Sequence, residues 1–300
     1  MSGLNTKLVR TKEDKIFDAV NITLLSLFTL AVLYPLYFVV ISSISDPAYV
    51  SAGKVLFVPK GITFEGYNRI FSDKSIILGY KNAVVYAVLH SVFGVFLTMT
   101  AGYAMSRKDF FGKGFFTVFL LITLYFNGGL IPTYLFINYL GWINTTWIMV
   151  ALGAVNIFNI IVARTFIQST ISNELLEAAN IDGCSHLKIF FMIILPLSKP
   201  IIAIMILYYF VGKWNDWFAA LIYLDDNKKY PLQLILRNIL IVNAPSTEMT
   251  RDAQEYATQQ RVTELLQYGI IIVASVPVLV MYPFVQKYFV KGVMIGSIKG

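Results

Sequence analysis

The chain has 300 residues, 57% hydrophobic, 15% aromatic and only 14% charged, with a net charge of +7 and a mean hydropathy of +0.68. That balance excludes an ordinary water-soluble domain and defines an all-α integral membrane protein. No basic-aromatic cluster accompanies the positive charge, so a nucleic-acid partner finds no support, and a single cysteine excludes an intramolecular disulfide or a Cys-based metal site.

Residues 1–18 mix Lys and Arg with Glu13, Asp14 and Asp18, and the apolar run behind them outlasts a signal-peptide core without a small-residue cleavage site. An uncleaved first span is expected. Uncharged stretches at 19–45, 82–106 and 265–286 each pass 20 residues, about what a helix needs to cross the hydrocarbon core. The loop 46–81 contains Pro59, Gly61 and a short helix expected at 64–71. His90 falls mid-span and is read as structural. Gly102 to Met105, ahead of Arg107 and Lys108, suits tight packing and then a turn on the cytoplasmic side.

Between Lys113 and Arg164 lie 50 residues without one Asp, Glu, Lys or Arg, interrupted by Asn127-Gly128-Gly129, Pro132, Gly141 and Asn144. Two spans joined by a short polar-aromatic turn are expected there. A fifth span begins after Pro200 and carries Lys213 and Asp216 toward its far end, three apart on a helix and so placed to neutralise each other. A second long loop, 223–263, holds Asp225, Asp226, Pro245 and a polar, helix-prone stretch at 246–261. Both long loops have room to meet an extracytoplasmic partner, and both read equally well as solvated loops.

The total is six transmembrane helices, which puts both termini on one side. Thirteen of the 24 Lys and Arg lie on that side, in 1–18, 107–113, 164–199 and 287–300. The others fall mostly in the two long loops, where charge weighs less on topology, so both termini are expected in the cytoplasm. The chain divides into a cytoplasmic N-terminus at 1–18, a six-span domain at 19–290 and a cytoplasmic tail at 291–300.

The loop at about 168–198 carries the mechanism. Ser172 or Asn173 can cap a helix whose first turn holds Glu174, favourable at the positive end of its dipole. Leu175, Leu176, Glu177, Ala178 and Ala179 favour helix, and Gly183 can end it in a left-handed cap. A helix of about ten residues, roughly 15 Å long, results. Ser185 can cap the next segment, which runs to Leu195-Pro196 and re-enters the membrane. The alanines allow close seating in a partner's groove, Leu175 and Leu176 offer apolar contact, and Glu177 and Asp182 offer charge. On these residues alone, the same helix also suits a position flat on lipid headgroups. Cys184 and His186 in this loop read as inert and structural.

Glu177-Ala178-Ala179, three residues, Gly183, nine residues, Ile193, one residue and Leu195-Pro196 resembles the cytoplasmic loop of membrane subunits of binding-protein-dependent ABC importers. The resemblance implies a type I permease fold in which Glu177, Ala178, Ala179, Asp182, Gly183, Leu195 and Pro196 form or hold a coupling helix in a cleft of an ATPase subunit. One departure is Ser172, where such chains often have proline before the acidic residue; serine still caps. Tyr34-Pro35-Leu36-Tyr37, Lys213-Trp214-Asn215-Asp216-Trp217 and the tail at 290–300 are similar to sugar permeases of the maltose-transporter class. Residues 127–134 resemble a branch for oligosaccharides or complex glycans, in which two different permeases pair.

No Gly-Lys here is followed by Ser or Thr; Val55, Gly114 and Trp214 stand in that place, so a phosphate-cradling loop is missing. The resemblance implies that this chain binds no cofactor and that ATP and Mg sit on two separate ATPase subunits. A second permease, an extracytoplasmic solute-binding protein, a carbohydrate and the bilayer complete the partners. Sugars need flat apolar faces and amide or hydroxyl partners, which makes Tyr125, Asn127, Asn156, Asn159, Tyr208, Trp214, Asn215 and Trp217 the pathway residues to examine. Trp and Tyr also crowd membrane interfaces, and Asn also bridges helices. An ion-coupled carrier would place ionisable groups at the midplane, where only His90 lies. A membrane-embedded enzyme would need carboxylates or a metal cluster at a membrane face, and Glu174 with Glu177 is the close carboxylate pair read for such a face. A permease for another small solute is the remaining variant.

Overall fold

The computed structural model describes residues 11–242, 261, 263–264, 266–283 and 286. Every regular element among them is helical. In chain order the α-helices are α1 (Lys12–Ser43), α2 (Pro47–Ser51), α3 (Glu65–Ser72), α4 (Lys74–Ser106), α5 (Lys113–Tyr125), α6 (Leu130–Tyr139), α7 (Thr146–Ala151), α8 (Ile157–Thr170), α9 (Asn173–Ile181), α10 (His186–Ile189), α11 (Leu195–Leu197), α12 (Lys199–Trp214), α13 (Trp217–Tyr223) and α14 (Leu232–Arg237), followed by α15 (Leu266–Pro283). Two compact units result, one of residues 1–70 and 247–273, the other of 71–246 and 274–300.

In the first unit, Thr11 and Asp14 close a capping box at the start of α1. Further along α1, Thr23 and Thr29 donate to the carbonyls of Ala19 and Leu25, each at 2.7 Å. Hydroxyls satisfied inside their own helix are tolerable in hydrocarbon. Tyr67 donates to Ser43 Oγ at 2.9 Å, and Ser51 to Glu264 Oε2 at 2.7 Å. The expected short helix at 64–71 is α3, displaced by one residue.

The second unit is built around α4. Its 33 residues reach about 50 Å at 1.5 Å per residue, longer than the roughly 30 Å core. Glycines bring its neighbours close: a Cβ on Gly102 would stand 2.9 Å from Ala163 Cβ of α8, and one on Gly94 would stand 2.8 Å from the Tyr209 ring of α12. Small residues at such crossings let backbones approach where no hydrophobic force drives helices together in lipid. Tyr209 then shares a hydrogen bond of 2.6 Å with the buried Thr98.

Residues 114–163 hold parts of four helices, α5 to α8. Gly129 (φ 86°), Gly141 (φ 69°), Asn144 (φ 57°) and Gly153 (φ 80°) all adopt left-handed backbone, which a continuing helix does not permit. The α5 and α6 axes are bent by 114°, and those of residues 186–197 and α12 by 82°. The second bend follows a π-helical turn at Phe190–Ile194 and contains Pro196 and Pro200, which remove backbone donors. Three described helices, α1, α4 and α15, are long and apolar enough to cross a membrane, or five spans if each bent pair counts as one. At 14 residues α8 is about 21 Å long.

Lys213 and Asp216 do not share a helix. α12 stops at Trp214, and Asp216 caps α13 by accepting from Ala219 N at 3.0 Å. The pair still meets across this break, Nζ to Oδ2 at 2.7 Å. α12 itself starts at Lys199, one residue before Pro200. The connection from α13 to α14 is tied down by Asn144, whose N–H donates to Tyr223 O at 2.8 Å and whose Oδ1 accepts from Asp226 N at 3.2 Å. Asn82 and Tyr86 of α4 donate to the carbonyls of Lys228 and Lys229. Apart from Arg261, the helix-prone 246–261 stretch lies outside the described residues, as does the tail at 291–300.

Candidate functional site

α9 is delimited by its own side chains. Ser172 Oγ accepts from Leu175 N at 3.4 Å, Glu174 lies in the first turn, and Gly183 takes φ 73° while Cys184 N reaches back to Ala179 O at 2.9 Å. Such a 6→1 return satisfies a carbonyl that a helix end otherwise leaves bare. Ser185 caps α10 through Lys188 N at 3.3 Å. Leu176 and Ala179, three apart and on one face, pack into a core with Met99, Tyr103, Ile167, Ile171, Ile189 and Phe190.

The opposite face is open. Glu174, Leu175, Glu177, Ala178 and Asp182 are exposed, together with Ile181 at 87% and Leu187 at 72%. Of the apolar residues expected to meet a partner, Leu176 and Ala179 therefore face inward. Leu175, Ala178, Ile181 and Leu187 provide the outward apolar surface. Ile181 belongs to this face by helical position and exposure, and Leu187 adds exposed apolar surface from α10; sequence spacing alone did not mark either.

The turn after α4 flanks this helix. Gln168 donates to Ser106 O at 3.2 Å. The Arg107 fork grips Asp109, with Nε and one terminal nitrogen each at 2.9 Å, and holds that carboxyl below the usual carboxylate range, with a smaller push from His186. The same bond raises Arg107 further above its already high value, and Glu177 adds to that. The α9 acid is thus within electrostatic reach of a cation in the turn after α4. Leu195 is half-buried against the core under α9, and Pro196 is exposed at the start of α11.

The pathway residues are not gathered in one place. Tyr125 and Asn127 are exposed around the α5–α6 bend, where Asn127 Oδ1 accepts from Gly129 N at 2.9 Å. Asn156 is exposed and caps α8 by accepting from Asn159 N at 3.0 Å, whereas Asn159 itself is buried. Tyr208 is exposed on α12. Trp214 is packed away at 1% exposure, stacked with Phe210 and donating to Ala274 O at 3.0 Å. Asn215 is exposed and bonds Val211 O in its own helix at 2.9 Å. Trp217 is 37% exposed, and the Arg237 guanidinium lies 4.8 Å from its ring centre. Arg237 escaped the sequence reading, although it is the only Lys or Arg between Lys229 and Arg251. His90 is buried with Nδ1 2.8 Å from Val150 O.

Apolar helices of membrane length, a short capped helix with one face in the core and the other open, and a sharply bent re-entry define a multi-pass helical membrane protein of the permease class. The family described as binding-protein-dependent transport system inner membrane component matches residues 75–240. This chain belongs to that family, as a permease component of the inner membrane. It is 34% identical over 290 residues to protein LplC of Bacillus subtilis (strain 168), covering 97% of each chain. It is 36% identical over 289 residues to the polygalacturonan/rhamnogalacturonan transport system permease protein YtcP of the same organism, covering 96% of this chain and all of the relative. A chain in the crystal structure of a bacterial ABC transporter involved in import of the acidic polysaccharide alginate superposes with a TM-score of 0.84 at 33% identity, over 94% of this chain and 99% of that one.

Proposed function

We propose that this chain is one of two paired permeases in an ATP-driven ABC importer that carries an oligosaccharide or glycan into the cytoplasm. The observation that carries the reading is α9: a nine-residue helix, packed on its own core along Leu176 and Ala179 and presenting Glu177, Ala178, Ile181 and Asp182 outward. A lever needs both a fixed face and a free one. The names of the relatives, which concern polygalacturonan/rhamnogalacturonan in one case and alginate in another, supply the solute class.

The full assembly adds a second permease, two ATPase subunits that hold ATP and Mg, and an extracytoplasmic binding protein that delivers the sugar. The chain makes six crossings, the sixth from α7 and α8 taken together across residues 152–156, with both termini in the cytoplasm. Glu177, Ala178 and Asp182 touch the ATPase. Ala179, Gly183, Leu195 and Pro196 hold the helix in place. ATP binding draws the ATPases together and moves the two coupling helices, tipping the spans between inward- and outward-open states. ATP biases that equilibrium only because the nucleotide-bound ATPase contacts the two states differently. The sugar passes Tyr125, Asn127, Asn156, Asn159, Tyr208, Asn215 and Trp217, and Trp214 joins this set only if the helices around it part.

Co-purification tests the coupling role. With the cognate ATPase co-expressed, the wild-type permease is expected to elute in complex, and Glu177→Lys to reduce the complex while leaving the membrane part folded. Undiminished ATPase binding in that variant would remove α9 from the mechanism.

A further inference from the structure

We infer that Arg237, placed over the ring of Trp217, reads a carboxylate on the transported sugar, which makes the solute an acidic saccharide. The inference rests on the glycan-import reading above and assigns the charge of its substrate.

Arg237 ends α14 and Trp217 begins α13, so two separate elements bring them together, with the guanidinium carbon 4.8 Å from the ring centre. The tie from Asn144 to Tyr223 and Asp226 and the grip of Asn82 and Tyr86 on residues 228–230 fix the link between those elements. Stacking consumes one face of a guanidinium and leaves the N–H donors around its edge free. Among the described residues no carboxylate pairs with Arg237 and no acceptor takes its side-chain donors, although it is half-buried. The nearest acid in sequence to the stacking partner, Asp216, is committed to Lys213 at 2.7 Å and to Ala219 N. A favourable position at the end of α14 accounts for a positive charge there, and not for its being laid over an aromatic ring on another helix.

Location agrees. Residues 182–198, their 82° bend and then α12 separate this pair from α9; the 16 residues of α12 span about 24 Å, and with α9 in the cytoplasm the pair at its far end is assigned to the face from which solute arrives. A neutral sugar offers a guanidinium only hydroxyls. A sugar carboxylate accepts two parallel charge-assisted bonds from the free edge, and supplies a counter-charge that none of the described residues gives. Exposed Asn215, two residues before Trp217, retains its Oδ1 for a neighbouring hydroxyl.

The test uses the complete transporter in proteoliposomes with ATP inside, and trigalacturonate, its methyl ester and maltotriose outside. The same binding protein delivers all three sugars, so comparing variant with wild type for each sugar cancels that protein's own preference. Arg237→Gln is expected to lower uptake of the free acid about tenfold, the size of one lost charged hydrogen-bond pair, and to leave the ester unchanged. Arg237→Lys, which keeps the charge without the flat fork, is expected to fall between. Equal effects on acid and ester, or wild-type import of maltotriose but not of trigalacturonate or its ester, would overturn the inference while leaving the importer reading intact. Import of none of the three sugars by an assembled wild-type complex overturns the glycan reading and the inference with it. An anionic lipid headgroup is the other acceptor such a guanidinium can find. If the difference between wild type and Arg237→Gln disappears in vesicles of phosphatidylcholine alone, the headgroup is the ligand and the sugar is not.

Discussion

Gly102 and Gly183 stand near the two ends of the same structural problem and are needed for opposite reasons. A Cβ at Gly183 meets nothing within 4 Å, but the backbone there is left-handed at φ 73°; at Gly102 the backbone is ordinary and the space is gone, with Ala163 Cβ at 2.9 Å and Arg164 N at 3.2 Å. Gly183→Ala should therefore cost about 1–2 kcal/mol of backbone strain without displacing a neighbour. Gly102→Val should cost about 1–3 kcal/mol through overpacking and push α4 away from α8. Thermal melting of the detergent-solubilised protein checks the first, and a cysteine pair placed across α4 and α8 reports the second. An unaltered α4–α8 separation in Gly102→Val would contradict the packing account. Gly183 could be recognised from sequence because the signal is local: helix-forming residues stop there. The role of Gly102 was anticipated only as tight packing, since its partner Ala163 belongs to a distant helix.

At the scale of elements, α9 shows the same division. Its limits, its serine cap and its glycine terminus follow from neighbouring residues, and the structure has them where residues 172–183 indicated. Which face turns inward does not follow, because Leu175 and Leu176 are equally apolar and only the position of Met99, Ile167 and Phe190 distinguishes them. Leu176→Ala is expected to destabilise the permease by about 2–5 kcal/mol and to lower its melting temperature. Ala178→Ser, on the open face, should stay within about 0.5 kcal/mol. Equal melting of the two variants would contradict the assigned faces. The broken course of residues 114–163 was hidden for a related reason: Gly129, Gly141 and Gly153 each announce a turn, but apolar composition on both sides reads the same for one bent span as for two straight ones. The Lys213–Asp216 pair was recognisable by spacing, yet the helix break between them depends on Asp216 finding Ala219 N.

For the whole molecule, the chain supplies helices of membrane length and no phosphate-cradling loop of its own. On the coupling proposed above, energy enters through α9, the short helix with one face in the core and the other open. Arg237 on Trp217 lies at the other end of α12. On that proposal α9 and the sugar-reading pair lie on either side of α12, with the 82° bend between residues 186–197 and α12 standing between α9 and that helix. The family and overall class were recognisable from the Glu177–Pro196 pattern. The pairing of Arg237 with Trp217 was not, because nineteen residues of chain and a fixed turn separate them.

The most direct measurement is saccharide uptake into proteoliposomes that contain the permease pair and its ATPases, with the loaded binding protein outside and ATP inside. Accumulation should require both ATP and the binding protein, persist when the proton gradient is collapsed, and be lost in Glu177→Lys. Uptake that follows an ion gradient without ATP, or that survives Glu177→Lys undiminished, would contradict an importer driven through α9.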